Sequence, residues 1–435
     1  MVQSSRVCSE VAIASERSSM GPTVAERIRL RVERFHSDRL AGQWGGRHIL
    51  HGRTPGYGDI VLNGSDYLAL GADPRITHAI KTALRSTQVG RFASCAFLPD
   101  DHPQVVLERA LAEHLRVPAG VLCQSGWEAK VGLLQSIADP EIPVYIDQFA
   151  HMSLWHGAKV SRAPIYSFRH NFPGHLREQI RAHGPGIIAV DAIYGTNGSR
   201  CPLTQICDIA DETDSVLVVD ESHALGTDGP AGAGMVAALG LTERVPYRIA
   251  SLSKAFGGRA GFVGANTADF VDYFKMESHP AVFSSTLLPY EIAGLAATLD
   301  VIRLDNWRRQ RLRELSTMVR RALTALEFDL EGSASHIVAL QAGPDLRAMA
   351  IRDFLEARGI FGSLLCPPTT ARNHTLIRFG LHAAITDHNI DRIIGACTEI
   401  RARFGATPPL EPLPKMPADR PGKHHATAGG LSSGT

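Results

Sequence analysis

The sequence predicts an α/β protein built on an open, mostly parallel sheet with helices on both faces, and three observations predict it. Short apolar runs, GIIAVDAIY (186–194), SVLVVD (215–220) and YRIAS (247–251), read as strands buried on both sides. Segments with helical spacing, such as GHLREQIRAHG (174–184), alternate with them, which is the pattern of parallel strands joined by crossover helices. Asp191, Asp220 and Lys254 fall at or near the ends of those runs, where open α/β sheets bind ligands.

Taken in order, the chain opens with a Ser-rich stretch, 1–22, that reads as a loose tail, and it closes from 406 to 435 with Pro, Gly and Ser lacking apolar periodicity. VAERIRLRVERF (24–35) reads as an amphipathic helix with Val24, Ile28, Leu30 and Val32 near one side, suited to packing or dimer contact. Residues 104–115 have helical spacing, VPAGVLCQ (117–124) is a short strand, and SGWEAKVGLLQSI (125–137) is a helix with small residues at its start. VYIDQFAHMSLWHG (144–157) reads as a strand ending near Asp147, with His151 at the start of a helix. After FSSTLLPYE (283–291) the chain turns helical to about residue 327, its charged run NWRRQRLREL reading as a solvated helix face. HIVALQ, RAMAIRDFLEARG, IFGSLLCPP, TLIRFGLHA and DHNIDRIIGACTEIRARF then give a smaller α+β unit. The expected division is an N-terminal segment, 23–70, packed on the small domain and the dimer, a large domain, 71–300, and a small C-terminal domain, 301–405.

Bulk composition narrows the function. A chain of 435 residues with 44% hydrophobic content buries a large core, and its formal charge of +1 indicates no general attraction to nucleic acid or anionic membrane. Seven cysteines form no C-x-x-C pair and no zinc spacing, so reduced thiols and no metal site are expected. No apolar run reaches membrane-spanning length and the N-terminus lacks a signal-peptide core, which places the chain in the cytoplasm.

The chemistry is read from SLSKAFGGRAGFVGAN (251–266) together with VLVVDESHALG (216–226). Lys254 follows an apolar run and precedes small residues and glycines, a setting in which a desolvated lysine beside other positive charge loses its proton. An unprotonated amine forms a Schiff base with an aldehyde, and the aldehyde expected is pyridoxal 5'-phosphate. Its ring nitrogen needs a carboxylate, and Asp220 closes a strand at the reactive edge. Either motif alone occurs in many proteins; the two in this order point to a cofactor site. His223, three residues on, is near enough to reach the ring oxygen, and His151 is the candidate to stack on the ring. The strand, turn and helix start at Ser125, Gly126 and Trp127 form a phosphate site through exposed N–H groups and the helix dipole. Arg378 is the candidate clamp for a substrate carboxylate.

Over residues 57–404 the chain resembles the α-oxoamine synthases, a branch of the fold-type I pyridoxal phosphate enzymes, and within them the CqsA-type synthases of α-hydroxyketone quorum-sensing autoinducers. SDYLAL, QSGWEAKVGLLQ, YIDQFAHMSLWHGA, VDESHALGTDGPAGAG, SLSKAFGGRAG and FSSTLLPYE carry the resemblance. It implies a seven-stranded central sheet, Lys254 as the cofactor's lysine, Asp220 at the ring nitrogen, His223 near the ring oxygen, His151 on the ring face, and Ser125, Gly126, Trp127 and Ser251 around the phosphate. It also implies that Ser285 or Thr286 reaches the phosphate of the neighbouring subunit, so that the active site is shared across a homodimer. Ser65 stands where the family usually has the asparagine that sits near the amino substrate, and Gly195 where it has serine.

The activity implied is condensation of an acyl-CoA with S-adenosylmethionine or a small amino acid to give an aminoketone precursor of the signal. The alternatives are an α-oxoamine synthase of another pathway, of the 8-amino-7-oxononanoate, 2-amino-3-ketobutyrate or sphingoid-base type, and a cofactor-binding homologue without turnover.

Overall fold

The computed structural model describes residues 21–86 and 93–405; most of the two stretches read as tails, 1–20 and 406–435, lies outside the described residues. In chain order the main elements are α1 (Val24–Arg34), β1 (Ile60–Val61), α2 (Pro74–Ser86), α3 (Pro103–Leu115), β2 (Ala119–Cys123), α4 (Gly126–Ile137), β3 (Val144–Asp147), α5 (Met152–Val160), β4 (Ile165–Phe168), α6 (Pro173–His183), β5 (Ile187–Asp191), α7 (Leu203–Glu212), β6 (Val216–Asp220), β7 (Tyr247–Ser251) and β8 (Gly261–Ala265). There follow α8 (Phe270–Glu277), α9 (Pro289–Leu304), α10 (Asn306–Ala325), β9 (Ile337–Gly343), α11 (Asp345–Glu356), β10 (Ile360–Phe361), β11 (Ser363–Leu365), β12 (Thr375–Gly380) and α12 (Asp387–Phe404).

Seven strands form the central sheet in the order β2-β8-β7-β6-β5-β3-β4. Every neighbouring pair from β7 to β4 is parallel, and β8 runs antiparallel to both β7 and β2. This is the mostly parallel α/β sheet expected. Sequence reading missed β8, because GFVGA carries two glycines that weaken a strand signal. Packing explains Gly261, where a Cβ would lie 2.3 Å from the Ser125 carbonyl oxygen at the start of α4. The sheet thus presses directly on the helix that faces the site.

A second, antiparallel sheet, β11-β12-β9, forms a separate C-terminal layer against which α11 packs. The N-terminal segment is tied to that layer: β1 pairs with β10 in parallel, and the Gly380 and Ala383 N–H groups donate to the Leu62 and Tyr67 carbonyls at 2.8 and 2.9 Å. α1 forms where expected, fixed by a capping box between Thr23 and Glu26, yet Val24, Ile28 and Val32 on its apolar side stay exposed. The charged run of α10 is not wholly solvated: Arg309 is buried and donates to the Ile302 carbonyl at 2.5 Å, while Leu312 and Leu315 face the core.

Beneath the strand ends that matter for chemistry lies a fully buried ion pair. Arg248 in β7 donates to the carboxylate of Glu221, which follows β6, and to the carbonyls of Leu115 and Ala233. These bonds cross-link two strands, α3 and a glycine-rich loop, and so fix where residue 220 points. Arg248→Met leaves the Glu221 carboxylate buried without its cation and is expected to destabilise the protein by about 3–5 kcal/mol. Urea unfolding monitored by circular dichroism measures it; a midpoint unchanged from wild type contradicts the role given to this pair.

Candidate active site

Strands β5 and β6 end in register, with Asp191 opposite Asp220, and β7 ends beside them at Ser251. Asp220 is almost wholly buried and both its oxygens are engaged. Oδ1 accepts from the Ser222 N–H at 2.9 Å and the Ser222 hydroxyl at 2.5 Å, and Oδ2 pairs with the Lys130 ammonium at 2.7 Å. Ser222 is a hub: its oxygen also accepts from the Ser251 N–H at 2.7 Å and from Lys130 at 3.2 Å. Burial works to raise the Asp220 carboxyl, but the Lys130 charge, its hydrogen bond and Ser222 outweigh it and hold the group below the usual carboxylate range. Asp191 goes the other way: burial and the neighbouring Asp220 charge push it well up. The carboxylate that faces the site is thus the one favoured in its ionised form, beside a second in which the proton is favoured.

Lys254 sits half-buried after β7. Burial, the Arg378 guanidinium and the Lys130 charge all lower its amine from the ordinary lysine value, and only Asp220 opposes them. These surroundings make the amine give up its proton more readily than an ordinary surface lysine.

α4 begins beside this cluster. The Ser125 hydroxyl accepts from the Glu128 N–H at 3.1 Å, capping the helix, and a Cβ on Gly126 would lie 2.3 Å from that of Ser251, so only glycine lets the helix start lie this close to β7. A helix of 12 residues leaves the N–H groups of Gly126 and Trp127 without intrahelical partners, in the positive field of its N-terminus. The Ser251 hydroxyl is hydrogen-bonded to that of Ser253 at 2.8 Å. Ser285 is exposed and its carbonyl accepts from the Gln124 side chain, one residue before the cap; the Thr286 N–H donates to the Ala93 carbonyl at 2.8 Å.

His151 caps α5, its Nδ1 accepting from the Ser153 N–H at 3.2 Å and bonded to the Ser153 hydroxyl at 2.7 Å, while its own N–H donates to Asp191 at 3.2 Å. The Trp127 ring stands edge-on to it at 6.2 Å. Burial of its inner side, with the Lys130 and Lys254 charges, pushes the imidazole down to about 4, although the residue keeps an open side towards solvent. A neutral, partly open ring is suited to lying against another flat ring.

His223, buried, bonds through Nδ1 to the Tyr67 hydroxyl at 2.7 Å, and burial with the Lys254 and Arg378 charges holds it well below its usual range. Its Nε2 lies 2.4 Å from where a Cβ on Gly195 would be, so the departure at 195 leaves room for this ring. Arg378 reaches across from β12 and donates through Nη1 to the Gly195 carbonyl at 2.7 Å; its Nε is buried without a partner among the described residues. Ser65, half-buried, lies two residues before Tyr67, whose N–H donates to the Ser65 carbonyl at 2.9 Å.

Lys254, Asp220, His151, His223, Ser251 and the start of α4 thus converge on one sheet edge, with Arg378 arriving from the small layer, while Ser285 and Thr286 lie beside it at the Gln124 rim. Sequence reading missed Lys130, Ser222 and Tyr67. Lys130 left one legible signal, a single cation among Ala129, Val131, Leu133 and Leu134 on an otherwise apolar helix. An ionised buried carboxylate, a depressed lysine and the free N–H groups at the start of α4 fit a cofactor with a basic ring nitrogen, an aldehyde and a phosphate.

Comparison with known proteins agrees. The family model for class I and II aminotransferases matches residues 58–396. The chain is 41% identical over 374 residues to a CAI-1 autoinducer synthase of Vibrio campbellii, covering 85% of this chain and 93% of that protein. It is 32% identical over 370 residues to an 8-amino-7-oxononanoate synthase of Anaeromyxobacter dehalogenans, covering 84% and 91%. A solved serine palmitoyltransferase from S. paucimobilis with bound PLP has the same fold, with a TM-score of 0.80 at 22% identity over 88% of this chain and 100% of that chain.

Two outcomes follow from the geometry. Removing the positive neighbour in Arg378→Leu raises the Lys254 amine, so the pH midpoint for competitive acylation of Lys254 in the cofactor-free protein is expected to move up towards that of ordinary lysines; an unmoved midpoint contradicts the coupling. Gly195→Ser places a Cβ against His223 and is expected to break the Tyr67 bond, a loss of about 1 kcal/mol or roughly fivefold in turnover. A crystal structure of that variant with the imidazole still on Tyr67 contradicts this.

Proposed function

The chain belongs to the class I and II aminotransferase family, and from that premise we propose that it is a pyridoxal phosphate-dependent α-oxoamine synthase that makes an autoinducer precursor. The observation that carries the reading is the 41% identity to the CAI-1 autoinducer synthase over 85% of the chain, against 32% for the 8-amino-7-oxononanoate synthase. The substrates proposed are an acyl-CoA and either S-adenosylmethionine or a small amino acid.

Bound pyridoxal phosphate supplies an aldehyde that condenses with amines and a protonated ring that withdraws electrons from the adjacent carbon. The roles of the chain's own residues follow from their surroundings. Lys254, whose amine burial and two cations lower from the ordinary lysine value, carries the aldehyde and later takes or returns the proton at the substrate's α-carbon. Asp220, held ionised by Lys130 and Ser222, receives the ring nitrogen. Gly126 and Trp127 hold the phosphate through helix-terminal N–H groups, with Ser125 and Ser251 beside them. His151 lies against the ring face. His223, oriented by Tyr67, faces the ring oxygen and neighbouring charge.

Arg378, with a free buried Nε, takes the carboxylate of the amino substrate, and Ser65 lies on the same side. After Lys254 takes its proton, the α-carbon attacks the thioester carbonyl of the acyl-CoA, a C–C bond forms and the C–S bond breaks; the coenzyme leaves as its thiol with that proton, the substrate carboxylate leaves as carbon dioxide, and Lys254 returns a proton from water to the α-carbon. The protein is proposed to work as a homodimer in the cytoplasm, with Ser285 or Thr286 completing the phosphate site of the partner; the exposure of Ser285 and of neighbouring Phe283 supports a contact there. Among the described residues no helix is long and apolar enough to cross a membrane.

Mass spectrometry of products after incubation with acyl-CoAs of graded length and each amino substrate tests the reading. Free coenzyme A and an aminoketone of matching mass are expected from S-adenosylmethionine or a small amino acid. Products formed only from alanine with pimeloyl thioesters, or from serine with palmitoyl-CoA, would move the chain to one of the other pathways.

A further inference from the structure

α4 turns one charge inward. Lys130 is 3% exposed and pairs with Asp220, itself 2% exposed, and the two meet with no solvent between them. A lysine taken out of water persists only where a carboxylate and other acceptors replace its hydration, and here Asp220 Oδ2 and Ser222 Oγ do so. A carboxylate offers about four acceptor positions. Ser222 fills two through its N–H and hydroxyl and Lys130 a third, which leaves a place on Oδ2 for one more donor.

Resting on the reading that the ring nitrogen of pyridoxal phosphate meets Asp220, we propose that Lys130 is a positioning residue that acts through Asp220 to keep the shared proton on the ring nitrogen rather than on the carboxylate. One proton has two resting places. On nitrogen, it leaves Asp220 negative and the ring positive; on oxygen, it leaves both neutral. Lys130 touches the carboxylate directly, whereas a ring nitrogen reaches that carboxylate through its remaining acceptor position. The ammonium therefore stabilises the negative oxygen more than it repels the ring, and the charge-separated arrangement is favoured.

The other groups around the pair sharpen this. From β5 comes Asp191, in register with Asp220 and raised by burial and by its charge; from the start of α5, His151, lowered to about 4 and bonded through its backbone N–H to Asp191; from the segment after β7, Lys254, which acts on His151 and is itself lowered. With an uncharged side chain at 130, Asp220 keeps only the two Ser222 donors against its burial, so the carboxylate takes up the shared proton. The ring then loses the positive charge on which its electron withdrawal depends.

The test uses holoenzyme reconstituted with pyridoxal phosphate labelled with nitrogen-15 in the ring, and solid-state NMR of that nitrogen in wild type, Lys130→Met and Lys130→Arg. Wild type and Lys130→Arg are expected at the pyridinium position, and Lys130→Met to shift downfield towards neutral pyridine; a role in packing alone predicts no shift. Where Lys130→Met does not accumulate as folded protein, Lys130→Gln keeps a hydrogen bond to Asp220 without the charge and is expected to shift in the same direction. A pyridinium signal unchanged in the uncharged variant overturns this inference and leaves the cofactor reading intact. Wild-type protein that retains no labelled cofactor overturns both.

Discussion

A carboxylate stays ionised inside a protein only when donors and a cation replace the water it has lost. At Asp220 three donors do this, the Ser222 N–H and hydroxyl on one oxygen and Lys130 on the other, with one acceptor position left over. The rest of the site is arranged around this fixed negative point. Asp191, a neighbour in register, is pushed up by its burial and by this charge, the His151 backbone N–H is bonded to Asp191, and Ser222 passes the restraint to the backbone of β7 just before Lys254. Below, the buried Arg248 and Glu221 pair anchors the next residue of the same strand end to β7 and α3. Two ion pairs, one facing the site and one facing the core, hold residues 220 and 221 from opposite sides.

The small layer contributes by a different device. Arg378 leaves β12 and binds the Gly195 carbonyl at 2.7 Å, on the same glycine whose missing side chain admits the His223 ring. The His223 ring is held in turn by Tyr67, in a segment whose backbone donates and accepts within the C-terminal layer. Gly195, His223, Tyr67 and Arg378 therefore form one connected path between the two layers. Arg378 also lies in the electrostatic reach of both Lys254 and His223, lowering each. A carboxylate bound at its free Nε would offset that charge, so under the proposed role of Arg378 the binding of an amino substrate would raise the proton affinity of Lys254.

How much of this was legible in the sequence depends on how local each signal is. Continuous Val and Ile runs announced β5 and β6 and the shorter YRIAS announced β7, and their ends located Asp191, Asp220 and Lys254, because strand polarity in a parallel sheet fixes which end gathers functional groups. Helix-start chemistry likewise marked Ser125 and His151. β8 was hidden by glycines whose purpose is contact with α4, which no one-dimensional pattern expresses. Lys130, Ser222 and Tyr67 were missed for the same reason: each matters through a partner far along the chain, Lys130 through Asp220, Tyr67 through His223. α1 was legible as a helix, but the exposure of Val24, Ile28 and Val32 was not, since period alone does not say what covers an apolar side.

The central claim is that the amine at 254 carries the cofactor. Borohydride reduction of the holoenzyme followed by proteolysis and peptide mass spectrometry tests it most directly, because reduction locks a lysine-bound pyridoxal phosphate in place. The account predicts a single phosphopyridoxyl group on the peptide containing Lys254. A label on Lys130 or another lysine, or none at all from protein that has bound the cofactor, would contradict it.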